Sequence, residues 1–447
     1  MKTFLDWSAY EDAGMGDAYA DIPKHGGDFA KAVAACINSR QCEQLGKQVM
    51  CPSYKVSENP LLSTGGRVKL LKSALNAENV DTALADPDLI EAMELCVSCK
   101  GCKRECENNI DMPLIKAEYL AHKVARDGLS LRARLFAYAP HWLERHAWLK
   151  PWVRLKNQQA WLSRIALAVF GLADRPLPEP AAKAFSSPKP QMGLDDKPHV
   201  VLLADTFTRH FEPHIAQAAI DILRHGGYGF EVLEPLDIDL EPTRALCCGR
   251  TFLAQGLIDQ ARTEARRLFK ALKPHIDAGR IVVGLEASCV LGLRDDAQAL
   301  GLDDDVKVLG KSVLLFEEFL AKEIKAKRLD LDLADMPANA LIHGHCHQKA
   351  VGAMKSVRRV LKTVPELDFD MIDASCCGMA GTFGLEAEHA EMSQQMANQA
   401  LMPTLAQDPD AIVIANGFSC RQQIKALGDD RPRHIVEIIA ERLAPKS

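Results

Sequence analysis

Four cysteines crowd one short stretch, Cys96-Val-Ser-Cys99-Lys-Gly-Cys102-Lys-Arg-Glu-Cys106, in the spacing C-x2-C-x2-C-x3-C. Three thiolates must wrap three corners of one iron–sulfur cube, and two-residue gaps on a tight loop let them converge. Gly101 eases that turn. C-x2-C pairs also bind zinc, but a run of four at this spacing favours iron and sulfide. In two-cluster ferredoxins the last cysteine of such a run ligates the other cluster. A partner motif is therefore expected elsewhere in the chain.

That partner lies upstream and is altered. Cys36-Ile-Asn-Ser39-Arg-Gln-Cys42 keeps the outer cysteines of C-x2-C-x2-C and carries Ser39 in the middle. Cys51-Pro52 supplies the ending, with eight residues after Cys42 in place of three. The crossed arrangement predicts a [4Fe–4S] cluster on Cys96, Cys99, Cys102 and Cys51. Cys106 then joins Cys36 and Cys42. Three thiolates suit a [3Fe–4S] cluster, or a [4Fe–4S] cluster with Ser39 or water on one iron; the alternative is an empty site with relic cysteines.

The chain has 447 residues, of which 14 are cysteine. It begins Met1-Lys-Thr-Phe-Leu-Asp-Trp, without the apolar core of a secretion signal. A reducing, cytoplasmic setting is expected, with clustered cysteines used for metal or redox chemistry and not for disulfides. No run of eighteen apolar residues predicts a membrane span. The composition, 47% hydrophobic and 26% charged, supports large cores. A net charge of -6 gives no basic excess for nucleic acid.

The expected fold class is α+β and multidomain. Residues 1–173 read as an α-helical ferredoxin-like domain with a helical extension. Asp86-Pro87 starts a helix that ends before Cys96, and Asp111 starts another through about 125. Six prolines in 174–198 read as a linker. Apolar strands near 199–204, 281–285, 340–344 and 411–415 alternate with helical patterns, which implies parallel βα units.

The cysteines repeat in step with those units. Cys247-Cys248-Gly249 precedes Cys289, and Cys376-Cys377-Gly378 precedes Cys420, with 41 and 43 positions from second to late cysteine. This reads as a duplicated α/β module over 199–325 and 338–445. Vicinal disulfides are strained, so each Cys-Cys-Gly turn presents two sulfurs to one site. The second copy offers Cys346, Cys376, Cys377 and Cys420 as a second [4Fe–4S] site. The first offers Cys247, Cys248 and Cys289, with Asp205 expected where the second has Cys346. A carboxylate is a poorer iron–sulfur ligand than a thiolate, so the first copy is expected to be structural.

His343-Gly-His345-Cys346-His347 sets three histidines around one cysteine. Read as a strand, it places the histidines on one face, opposite Cys346. They bind a metal, donate hydrogen bonds or handle protons near a cluster, or sit as satisfied polar core; the hydrogen-bonding or proton-handling role is the expectation over metal binding. Trp142, Trp148, Trp152 and Trp161 fall among Arg145, Lys150, Arg154, Lys156 and Arg164. Two readings compete: a membrane-surface or quinone-side patch, or a helical hairpin whose rings anchor a core. The second is the expectation.

Taken together, Cys36…Cys42…Met50-Cys51-Pro-Ser-Tyr54, Leu95-Cys-Val-Ser-Cys-Lys-Gly-Cys102 and the two Cys-Cys-Gly segments resemble the iron–sulfur part of FAD-linked glycolate, D-lactate and D-2-hydroxyglutarate dehydrogenases. The resemblance covers roughly residues 28–445. The Cys-Cys-Gly halves also resemble the catalytic subunit of heterodisulfide reductase. Ser39 and the long gap before Cys51 look more like the flavin-fused branch, and Glu107 replaces a usual proline. Gly417 stands where heterodisulfide reductase halves carry the first cysteine of C-x-x-C, which speaks against that family's non-cubane cluster.

The resemblance implies an electron-transfer subunit. Only 35 residues precede Cys36, and no Gly-rich phosphate loop follows a strand, so FAD is expected on a separate dehydrogenase partner. A quinone or membrane-surface acceptor is expected at the cytoplasmic face. The competing implication is disulfide reduction at Cys376-Cys377.

Overall fold

Val200–Leu203 (β1) is buried at every residue, as a strand covered on both faces must be. The computed structural model describes residues 1–14, 21–46, 48–146, 148, 150–237, 241, 244–303 and 305–444. The expected end of the second module, residue 445, lies outside them. Around β1 run Phe230–Val232 (β2), Ile281–Gly284 (β3) and Val313–Leu315 (β4), all parallel, in the order β2-β1-β3-β4. Ala338–His343 (β5), Leu367–Met371 (β6), Ile412–Ala415 (β7) and Pro432–Arg433 (β8) repeat that order as β6-β5-β7-β8. The sequence picked out the four inner strands. It missed the outer ones, which are short or alternate in burial and so lack a long apolar run.

The two sheets share one core. Val200, Leu202, Val283, Ala340, Ile342 and Ile414 belong to the same apolar cluster as the helices between them. Helix Pro213–His225 packs on Ile435–Glu441, and Phe316–Lys325 on Met354–Leu361. The helical first third docks on the first sheet. Its Phe29, Leu71 and Ile115 join Val201, Val282 and Phe252 in another core. At the start of the chain, Glu118 accepts from the amides of Phe4 and Leu5 and from the Trp7 indole.

Residues 174–198 are extended and lie along the first module. Ala181 and Phe185 donate to the carbonyls of His210 and Arg209, and Gln191 exchanges backbone hydrogen bonds with Phe230. The basic segment before them folds as helices Leu131–Ala137, Ala139–Arg145, Lys150–Gln158 and Ala160–Phe170. The expected core packing of its rings fails. Trp148, Trp152 and Trp161 are 65%, 56% and 58% exposed, beside exposed Ile165, Val169 and Phe170. Among the described residues no helix is long and apolar enough to cross a membrane.

Candidate metal centres

Helix Pro87–Glu94, capped by Asp86 through the amides of Asp88 and Leu89, delivers the chain to Cys96. Two left-handed residues, Ser98 (φ 50°) and Lys100 (φ 62°), then curl the loop. The upstream loop repeats the curl: Asn38 (φ 58°) and Arg40 (φ 58°) stand two and four residues after Cys36. Each non-glycine residue held there costs about 1–2 kcal/mol. Such a conformation persists only where its surroundings impose it. Ser39 thus occupies in its loop the place of Cys99.

Cys51, Cys96, Cys99 and Cys102 line one small cavity with Thr64, Arg67 and Met112. The Cys51 segment crosses so close to the other loop that a Cβ on Gly101 would fall 2.7 Å from the Met50 amide nitrogen. Glu105 clamps the crossing by accepting from the amides of Val49 (2.9 Å) and Met50 (2.7 Å). Lys116 donates to the Cys96 carbonyl at 2.6 Å. Burial pushes the Cys51 thiol up to about 11 and the Cys99 and Cys102 thiols higher still. Thiols this deep carry charge only when a metal neutralises it, so the donor set fits an iron–sulfur cluster.

Cys36, Cys42 and Cys106 form a second, half-buried group. Burial raises the Cys36 thiol, and Cys42 and Cys106 beside it add to the rise. Helix Thr64–Asn76 links the two groups: the Thr64 amide donates to Cys51 Sγ at 3.1 Å and the Gly65 amide to Cys42 Sγ at 3.3 Å.

In the second module β5 ends at His343, and Cys346 opens helix Cys346–Val351. The histidines therefore do not line one strand face. His345 caps that helix, its Nδ1 accepting from the His347 amide at 3.2 Å. His347 Nε2 lies 3.0 Å from the Ser98 carbonyl and 3.3 Å from Arg250. A nitrogen cannot donate to one and accept from the other at once, and the shorter contact makes it the donor to Ser98. Burial holds the His345 imidazole down at about 3, so it is neutral near pH 7.

Cys346 touches Cys376, Cys376 touches Cys377, and Cys377 touches Cys420, all thiol to thiol. Gly378 (φ 86°) makes the turn; a Cβ there would lie 2.0 Å from the Ser393 carbonyl oxygen. Gly417 leaves room for its neighbours, since a Cβ would sit 2.4 Å from His345 and 3.2 Å from Cys420 Sγ.

The first module brings Cys248 Sγ within 3.2 Å of Cys289 Sγ, with Cys247 beside Cys248. Gly249 (φ 81°) makes the matching turn; a Cβ there would lie 2.6 Å from the Ala261 carbonyl oxygen. The position expected for Asp205 needs correction. The central pairs Leu203↔Gly284 and His343↔Ala415 fix the correspondence between the sheets. Leu203 then matches His343, Asp205 matches His345, and Thr206 matches Cys346. Asp205 is a helix cap like His345, accepting from the amides of Phe207 and Thr208. Glu286 matches Gly417, and its carboxylate accepts from the Phe418 amide of the other module at 2.8 Å.

The groups meet where the domains join. Cys99 and Cys376 share one apolar cluster, with Cys346 packed against it. Arg250 bonds Asp296 at 2.7 Å. Burial works against the Lys100 charge, but Asp111, Asp296 and Asp295 outweigh it and hold the group protonated. Sequence reasoning passed over Lys100, Arg250, Glu105 and Lys116, because isolated charges in a sequence read as solvated surface. For Lys100, Glu105 and Arg250 the signal was adjacency or near-adjacency to cysteines; Lys116 had none. All fourteen cysteines are among the described residues and none is in a disulfide.

Residues 32–110 match a model described as a 4Fe-4S dicluster domain, and residues 340–425 one described as a Cysteine-rich domain. The chain is similar to the D-2-hydroxyglutarate dehydrogenase of Pseudomonas putida, with 24% identity over 93% of this chain and 43% of that protein. It is likewise similar to a subunit of the anaerobic glycerol-3-phosphate dehydrogenase of Escherichia coli, with 24% identity over 56% of this chain and 60% of that subunit. With the glycolate oxidase iron-sulfur subunit of Escherichia coli it shares 24% identity over 93% of this chain and 96% of that one. The chain thus spans less than half of the first of these relatives and nearly the whole length of the third. It is an iron–sulfur protein that carries a 4Fe-4S dicluster domain and a cysteine-rich domain, homologous to the iron-sulfur subunit of glycolate oxidase and to a subunit of anaerobic glycerol-3-phosphate dehydrogenase.

Proposed function

We propose that this chain relays electrons for a flavin-dependent 2-hydroxyacid dehydrogenase of the glycolate, D-lactate or D-2-hydroxyglutarate type, with FAD on a separate partner subunit. The observation that carries the reading is the junction itself: Cys99 of the first thiol group packs in one cluster with Cys376, and Cys346 lies against it. Iron–sulfur clusters bound by these thiols supply one-electron redox chemistry. Cys51, Cys96, Cys99 and Cys102 hold a [4Fe–4S] cluster. Cys36, Cys42 and Cys106 hold the other dicluster site as a [3Fe–4S] cluster, or as a [4Fe–4S] cluster completed by Ser39 or water. Cys346, Cys376, Cys377 and Cys420 hold a further centre in the second module. Cys247, Cys248 and Cys289 form the structural counterpart in the first.

The chain's own residues set the conditions for transfer. The buried thiols exclude water. The amides of Thr64 and Gly65 donate to cysteine sulfurs and favour the reduced, more negative state. His347 pins Ser98 in the Cys96–Cys102 loop to the second module. In this reading the helical domain is ferredoxin-like and the two sheets are products of duplication.

The acceptor is a quinone or another group met at the cytoplasmic face of a membrane. Exposed Trp148, Trp152, Trp161, Ile165, Val169 and Phe170 beside the cations Arg154 and Arg164 suit a bilayer interface. Vesicles of anionic lipid should co-sediment the wild-type chain. The triple variant Trp148→Ala, Trp152→Ala, Trp161→Ala should lose at least tenfold in partition; equal sedimentation of both discards the interface. Disulfide reduction at Cys376-Cys377 finds less support, because both thiols are 3% exposed and Cys420 is 2%.

Anaerobic purification tests the main reading. Both iron and sulfide, in equal amounts for cubanes alone and with sulfide in slight excess if a [3Fe–4S] cluster is present, broad absorbance near 400 nm and bleaching by a 2-hydroxy acid only when the flavoprotein is added are expected. A colourless, zinc-loaded chain would overturn it.

A further inference from the structure

His343 is 1% exposed at the end of β5, and among the described residues neither ring nitrogen has a hydrogen-bond partner. Its two neighbours differ. His345 spends Nδ1 on a helix cap, and His347 spends Nε2 on the Ser98 carbonyl. A buried imidazole with both nitrogens unsatisfied costs about 1–3 kcal/mol per polar group. A fold that keeps such a group has a partner for it that the polypeptide does not provide.

The geometry indicates that partner. A ring nitrogen of His343, Cys377 Sγ and Cys420 Sγ all lie within 4.8 Å of one another. In the first module Leu203 holds the matching position, from the register Leu203↔Gly284 against His343↔Ala415. The same fold is thus built without an imidazole where the thiol group is also incomplete.

We infer that His343 is a nitrogen ligand to an iron of the centre held by Cys377 and Cys420, which makes the second module a mixed imidazole–thiolate iron–sulfur site. The inference rests on the proposed relay function in that it takes the metal there to be iron. The ring nitrogen donates its lone pair to iron, and no proton need leave it. Cys376, on the side facing Cys99, completes a set of four ligands, so that His343 stands in place of Cys346 in the thiol group described above. A neutral imidazole in place of an anionic thiolate raises the potential of an iron–sulfur centre. The second module then lies downhill from an all-cysteine cluster on Cys51, Cys96, Cys99 and Cys102.

The test uses the full chain, reconstituted anaerobically with iron and sulfide and grown with and without 15N-labelled histidine. Pulsed EPR of the partly reduced protein should show a nitrogen coupling that changes with the label and is lost in His343→Cys. That variant keeps a ligand and should keep its iron, with one redox couple moved to lower potential. His343→Leu, which copies the first module, should lose iron yet fold. Full iron content with no histidine coupling, or a coupling that survives in His343→Cys, overturns the ligand assignment and leaves the relay reading standing. Iron content that Cys377→Ser does not reduce removes the centre, and with it both the assignment and this module's part in the relay.

Discussion

The two modules share strand order, a Cys-Cys-Gly turn and a late cysteine on the helix after the third strand in sequence, yet they differ at almost every position that faces the thiols. Where the second has His343, His345, Cys346 and Gly417, the first has Leu203, Asp205, Thr206 and Glu286. The turn glycines are common to both because backbone crowding demands them. The remaining positions vary because the sheet does not depend on them. The scaffold and its ligand set are therefore separable.

The largest effect expected from that difference is on iron content. Cys377→Ser or Cys420→Ser should remove one centre, about four irons per chain if it is a cubane. Cys289→Ser in the first module should leave iron unchanged. Equal losses from both modules, measured as iron and sulfide per chain, would break the comparison.

Next in size are the turns. Gly378→Ala and Gly249→Ala each place a Cβ far inside contact distance of a carbonyl oxygen at a positive φ. Both should destabilise by about 3 kcal/mol or more, read from urea unfolding. A large cost in one module alone would show that the turn serves the metal and not the fold.

A smaller effect is expected at Glu317, which follows β4 where Val436 follows β8. Gln348 and Asn416 both donate to Oε1, while Oε2 has no partner among the described residues. Burial raises this carboxyl to about 7 from 4.5. The folded state then holds the proton more tightly, so the contribution of Glu317 to stability is full below pH 4.5 and is lost as pH rises through 7. The full drop is about 3 kcal/mol. Glu317→Gln should flatten that slope, measured as unfolding free energy between pH 4.5 and 7.5. An unchanged slope would sharpen the comparison by assigning the pH response to another group.

Much of this organisation was legible in the chain. The meeting of Cys51, Cys96, Cys99 and Cys102 in one cavity was readable, because thiols that must converge leave their spacing in the sequence. The inner strands were readable because both of their faces are apolar. The offset between Asp205 and Cys346 was not, since nothing in a sequence marks the residue at which a strand gives way to a helix cap. For the same reason the three histidines looked equivalent until β5 was seen to stop at His343. Tryptophans 148, 152 and 161 read equally well as core or surface, because composition does not say which way a helix is turned.

One helix start carries a consequence of its own. The first two amides of Thr64–Asn76 reach sulfurs that belong to different thiol groups, Cys51 and Cys42. A slide of that helix along its axis lengthens or shortens both contacts together. In the proposed relay the two centres would then drift in parallel, and the voltage step between them would stay nearly constant while the protein flexes. A partner that pushes on this helix would shift the pair as a unit against its outside donor and acceptor, without stalling the hop inside.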